Sequence, residues 1–243
     1  MNTSILLITG WGGGTQLLEP LQHKLQQQGY VVELINIFNA LDAEVLQQHI
    51  ELAHRFDVIM GWSLGGQLAT LLVQQLEQQY AEHKTLITFA SNPCFVAQPN
   101  WSTAMPQETF KQFKQSFQQD AVATLKRFGF LVCQGADSAK KDFIQMQKLI
   151  NPQPISLLEQ GLVLLEQLNL AKTLAHYTGQ QLHVFAEQDA LVPREIIQNM
   201  QQLLTENVKV VSIEHASHGF PCFQVEQTMQ IIEDFLKQPL QAV

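Results

Sequence analysis

The stretch VIMGWSLGGQLA, residues 58–69, decides the fold. An apolar run from Val58 to Met60 leads into Gly61-Trp62-Ser63-Leu64-Gly65, a G-x-S-x-G pattern, and apolar residues at helical spacing follow. A serine between glycines where a strand passes into a helix is the signature of a nucleophile elbow. The sharp turn lifts the hydroxyl out of the sheet, and side chains at the flanking positions would crowd the neighbouring backbone. The helix N-terminus beneath such a serine favours developing negative charge. A serine there can also do no more than cap a helix. A chemical role requires a base, and a group to orient the base, from elsewhere in the chain.

Working outward, two periodicities alternate. Ser4–Thr9, Val31–Ile35, Asp57–Gly61 and Thr85–Ala90 read as strands, with helices predicted over Thr15–Gln28, Leu41–Ala53 and Leu64–Tyr80. Gly29 supplies a C-terminal stop for the first helix. Strands alternating with helices of this length imply a parallel sheet covered on both faces. From about Gln98 to Leu170 the alternation stops. Four apolar stripes at helical spacing replace it: Phe110/Phe113/Phe117, Val122/Leu125/Phe128, Phe143/Met146/Ile150 and Leu158/Leu162/Leu165. The α/β rhythm then returns, with strands at Leu182–Ala186 and Val208–Ile213, a helix starting at Pro193 and a last helix over Gln224–Leu236. The expected architecture is an α/β sheet of about six strands, mostly parallel. The core would comprise residues 1–97 and 171–243, with a helical insertion over 98–170.

Composition narrows the function classes. The 243 residues carry a formal charge of −8, which argues against general nucleic-acid binding. The many glutamines alternate with leucine and valine and read as solvated helix faces. Cys94, Cys133 and Cys222 are far apart and form no C-x-x-C, so a reducing compartment and buried, unreactive thiols are expected. Ile5–Ile8 is too short for a membrane span and has no basic lead-in, so a cytoplasmic protein without membrane partners is expected. Neither a metal nor an organic cofactor is called for, and a monomer is expected.

A triad on this topology runs serine, acid, histidine along the chain. His218, in HASHGFP after the last strand, is the best-placed base, with His215 its local competitor. Asp189, just past the Leu182–Ala186 strand, is the acid candidate, with Glu187 as the alternative. Carboxyl ends of parallel strands converge on one crevice, which favours both choices. Oxyanion donors are expected from the N–H of Leu64 and from the glycine-rich loop Thr9–Gly14, at Trp11. That loop lacks the lysine or acidic partner of a phosphate site.

These residues together resemble the α/β-hydrolase superfamily. More narrowly they resemble the pimeloyl-[acyl-carrier protein] methyl ester esterases of biotin synthesis. The resemblance rests on GWSLGG at 61–66, ASNPCF at 90–95, PQETFKQFKQSFQQD, LKRF and AKKD in the insertion, DALVPR from Asp189 and ASHGF around His218. It implies the α/β-hydrolase fold, Ser63, Asp189 and His218 as triad, Trp11 and Leu64 as oxyanion donors, and a lid that receives an acyl-carrier-protein-bound ester. Thr9 stands where the family usually has histidine, and the N-terminal hairpin common in the superfamily is expected to be missing. Residues 108–150 carry seven basic and four acidic side chains, a net +3 on an acidic body. Lys126, Arg127, Lys140 and Lys141 are therefore lid or carrier-binding candidates, and Phe128 joins them as one of the phenylalanines that could floor an apolar acyl tunnel. General short-acyl esterases or thioesterases, C–C bond hydrolases and non-catalytic binding proteins share the same features.

Overall fold

The computed structural model describes residues 2–203 and 207–237. Among them, one sheet of six strands runs β1 Ser4–Ile8, β2 Val31–Ile35, β3 Val58–Trp62, β4 Thr85–Phe89, β5 Gln181–Ala186 and β6 Val208–Ile213. The spatial order is β2-β1-β3-β4-β5-β6, and every neighbouring pair is parallel. Burial explains the sequence pattern. Ile5 to Ile8 on β1 are fully buried, as are the five residues of β3, because helices cover both faces. The edge strands β2 and β6 mix in Glu33, Lys209 and Ser212.

Helices α1 Glu19–Gln27, α2 Ala43–His54 and α3 Leu64–Tyr80 connect the first four strands. The helix predicted from Thr15 is divided: a 3-10 turn spans Thr15–Leu17 and α1 opens afterwards, with Pro20 in its first turn. A proline is tolerated there but not deeper in a helix. Asp42 caps α2, its carboxylate accepting from the N–H groups of Glu44 and Val45. Between β4 and β5 lie α4 Gln107–Gln119, α5 Ala121–Cys133, α6 Ala139–Leu149, α7 Ile155–Gln167 and α8 Ala171–His176. The last part holds α9 Ile196–Leu203, α10 Phe220–Phe223 and α11 Val225–Leu236.

Three further expectations need correction. Val122 is 80% exposed, because α5 buries the Thr124/Phe128/Val132 face and Val122 lies off it. The helix predicted from Pro193 begins at Ile196, after a turn in which Asp189 Oδ1 accepts from Leu191 N (2.8 Å) and Val192 N (3.0 Å). An aspartate that captures nearby N–H groups holds a chain in a turn and delays the helix. The segment before α11, read as loop, includes the short α10, whose Phe220 and Cys222 are buried. Among the described residues no helix is long and apolar enough to cross a membrane.

Candidate active site

Ser63 sits between β3 and α3 with φ 56° and ψ −121°, a backbone region that favours glycine. The surroundings over-determine it. Its N–H donates to Phe89 O (2.9 Å), and its carbonyl accepts from Gly66 N (2.9 Å) and from Ser91 Oγ (2.8 Å). A Cβ at Gly61 would overlap the Gly65 carbonyl, and one at Gly65 would overlap the Thr9 carbonyl. Both glycines are therefore demanded by close backbone approach.

His218 follows β6 and is 1% exposed. Its Nδ1 lies 2.8 Å from Asp189 Oδ2, and the two side chains are 1% and 2% exposed. A carboxylate only accepts, so Nδ1 carries the proton and Nε2 keeps its lone pair in the neutral ring. Nε2 is buried and, among the described residues, has no hydrogen-bond partner, Ser63 Oγ included. The ring leans on Trp62, centroids 5.7 Å apart, and Trp62 Nε1 donates to His218 O (2.9 Å). That contact ties the imidazole to the residue preceding Ser63. The competitors go elsewhere. His215 is exposed and faces Asp137 at 3.9 Å, and Glu187 pairs with Arg194 at 3.3 Å.

The loop after β1 closes the other side. A Cβ on Gly10 would stand 2.9 Å from the Trp62 ring and 3.3 Å from Ser63 Cβ, so Trp11 enters directly beside the serine. Leu64 is the first residue of α3, where helix N–H groups lack an intrahelical acceptor. The indole of Trp11 points into the insertion: Nε1 donates to Leu158 O (2.8 Å), and the ring packs edge-on against Phe113, Phe117 and Phe128. Thr9, the departure from the family pattern, is fully buried; its hydroxyl donates to Asn36 Oδ1 (2.9 Å), which fastens the loop to β2.

Ser63 opens into a cavity walled by Trp11, Phe95, Phe110, Phe113, Phe128 and neighbouring aliphatic side chains. Among the described residues no charged side chain lines it. Phe128 thus lines the cavity, as one of the phenylalanines that could floor a tunnel. Lys126, Arg127, Lys140 and Lys141 are exposed, the last two beside a shallow surface depression with Ile144. Part of the insertion's positive charge is engaged: Lys114 pairs with Glu166 at 2.5 Å. Burial pushes the thiols of Cys94 and Cys133 up to about 11 and about 12, and that of Cys222 well up, so none forms a ready thiolate. Among the described residues no cluster of three or more His, Cys, Asp or Glu could hold a metal.

Sequence reasoning missed supports from two stretches. Ser91 buttresses the elbow carbonyl, and Asn92 takes the indole N–H of Trp101 on its Oδ1 (2.8 Å) while its Nδ2 donates to Thr103 O (2.8 Å). The ASNPCF stretch flagged the position, but polar residues after a strand do not reveal their partners. Trp62 was the second, since nothing local shows that its indole reaches a loop 156 residues away.

The family model described as serine hydrolase (FSH1) matches residues 37–230. The pimeloyl-[acyl-carrier protein] methyl ester esterase of Aliivibrio salmonicida (strain LFI1238) is 30% identical over 232 residues, covering 89% of this chain and 85% of that protein. A bromoperoxidase from Bacillus anthracis superposes with a TM-score of 0.80 at 17% identity, over 98% of this chain and 93% of its own. The esterase from Exiguobacterium antarcticum does so at 0.80 and 16% identity, over 98% and 92%.

Proposed function

The chain belongs to the serine hydrolase (FSH1) family and has the α/β-hydrolase fold, and on that premise we propose that it cleaves the methyl ester of a pimeloyl group carried on an acyl carrier protein. The observation that carries the chemistry is the buried Asp189–His218 pair, with an unpartnered Nε2, beside a serine held in an elbow. Ser63 is the nucleophile. His218 Nε2 takes its proton as the hydroxyl oxygen attacks the ester carbonyl, once the two atoms close to about 3 Å. The tetrahedral oxyanion is held by the N–H groups of Trp11 and Leu64. His218 returns the proton to the leaving methoxide, methanol departs, and an acyl-serine remains. Water, deprotonated by the same nitrogen, then attacks the acyl carbonyl. The acid is released and Ser63 regains its proton. Asp189 holds the imidazole in the required tautomer and stabilises its cation.

The substrate assignment is supported by the similarity to the esterase of Aliivibrio salmonicida and by the cavity. An uncharged, mostly apolar lining suits a neutral ester at the end of an alkyl chain. In this reading residues 98–170 form the lid, the remainder the core, and the exposed Lys126, Arg127, Lys140 and Lys141 attract an acidic carrier. The test is methanol release from pimeloyl methyl ester on its carrier, compared with the same ester free in solution and with Ser63→Ala. Preference for the carrier-bound ester, lost in Ser63→Ala, supports the proposal. Equal turnover of both esters returns the protein to a general short-acyl esterase. Rescue of a biotin-requiring strain lacking its methyl ester esterase gives the same answer in cells.

A further inference from the structure

Three contacts converge where α5 ends. Gly219 N, one residue after His218, donates to Val132 O in the last turn of α5 (2.9 Å). Gly135 follows α5 with φ 103°, and a Cβ there would overlap the carbonyl oxygen of Gln188 and come within 2.9 Å of Gln188 Cβ. Gln188 directly precedes Asp189, and its N–H donates to Ala216 O (3.1 Å), two residues before His218. The exit of α5 therefore touches the acid loop and the histidine loop at once, and those loops touch each other.

One to two turns earlier α5 meets the loop after β1. Phe128 packs edge-on to Trp11 with centroids 4.9 Å apart, and both Phe128 and Leu125 border Gly12. One helix thus spans from the oxyanion side of the site to the triad side. Val132 and Cys133 are 0% and 1% exposed, and Cys133 Sγ lies 3.8 Å from Met146 Sδ on α6, so this span is packed rather than loosely laid over the core.

We propose that Gly135 is a positioning residue for the Asp189–His218 pair, and that α5 acts as a fixed strut across the active site. The lack of a side chain at 135 lets the turn seat on the Gln188 carbonyl, and that seating sets how Asp189 presents its carboxylate. The remainder of Gly135 faces solvent, so filling a core does not explain the glycine. Both backbone handedness and close approach exclude larger residues there.

The inference rests on the triad reading above, and the experiment separates the two. Gly135→Ala is compared with wild type and with Gly29→Ala. Gly29 has φ 90°, and among the described residues nothing lies within 4 Å of a Cβ there, so an alanine at 29 takes on a like backbone strain without a close approach. Expected for Gly135→Ala is a kcat lower by about tenfold or more, with KM within about twofold, since small misplacements of catalytic groups are costly. Its ascending pH limb should also move to lower pH, because a carboxylate drawn away from the imidazole stabilises the cation less. Gly29→Ala should melt lower with kcat and pH profile unchanged. Gly135→Ala that melts lower but keeps the wild-type kcat and pH limb overturns the positioning role. Full activity in Ser63→Ala or His218→Ala would instead overturn the triad reading.

Discussion

Asp189 Oδ2 lies 2.8 Å from His218 Nδ1 in a site from which both side chains are almost wholly withdrawn from water. The other oxygen of Asp189 is already committed to the N–H groups of Leu191 and Val192. One carboxylate therefore shapes its own loop with one oxygen and fixes an imidazole with the other. Asp189→Asn can keep the loop bonds through its amide oxygen but offers the ring a donor. Its kcat should fall by about 10⁴ while the melting temperature changes little, as for loss of tautomer control. Steady-state kinetics and a thermal melt test this together.

Ser63 holds a strained backbone for the sake of its position. Ser63→Ala and Ser63→Gly should both abolish turnover and labelling by a fluorophosphonate probe. The glycine variant should be the more stable of the two by about 1–2 kcal/mol, because it relieves a conformation that costs other residues about that much. Paired denaturant titrations measure the difference, and an alanine variant at least as stable as the glycine one would show that the elbow stores no strain.

Gly65 is expected to be irreplaceable for a different reason. Its missing Cβ makes room for the carbonyls of Ile8 and Thr9 at the end of β1. Gly65→Ala must part α3 from the sheet, a cost of several kcal/mol, on the order of the larger single-residue losses. We expect insoluble protein or a much lower melting temperature, read by expression yield and circular dichroism.

His183 on β5 is fully buried between Thr88 Oγ1 (2.7 Å) and Gln181 Oε1 (3.2 Å), and burial drives its pKa down to about 3. The folded ring stays neutral while the unfolded one takes a proton below its usual value of 6.5. Stability is therefore whole above that value and declines as pH falls from 6.5 toward about 3, by an amount on the order of a few kcal/mol. Melting temperatures across this range should slope downward, and His183→Gln should flatten the slope.

If the exposed lysines attract an acidic carrier, charge reversal will show it selectively. Lys140→Glu with Lys141→Glu should raise KM for the carrier-bound ester about tenfold at low salt, the effect shrinking as salt screens it. Turnover of the free ester should stay level. An equal loss on both substrates would mean the lysines act on the fold.

Much of the fold was legible because burial writes itself locally. The unbroken apolar runs of β1 and β3 and the helical spacing of α3 follow from sheet faces covered on both sides, and these elements match to within a residue or two. Boundaries failed where a side chain chose a backbone partner, as when Asp189 postponed α9, or where helix register decided exposure, as at Val122. The basic character of the insertion was countable, but that Lys114 is paired with Glu166 was not.

Local order in the chain determined which residue types stand at each strand end: a serine flanked by glycines after β3, carboxylates after β5, histidines after β6. Steric limits and side-chain hydrophobicity act over a few residues, so one string of letters suffices to read them. Which carboxylate meets which imidazole, where the Trp62 indole lands, and how α5 bears on both loops were decided only by tertiary packing. Those contacts join residues as far as 156 positions apart, and their geometry depends on how the sheet twists and the helices settle, quantities that no short stretch contains.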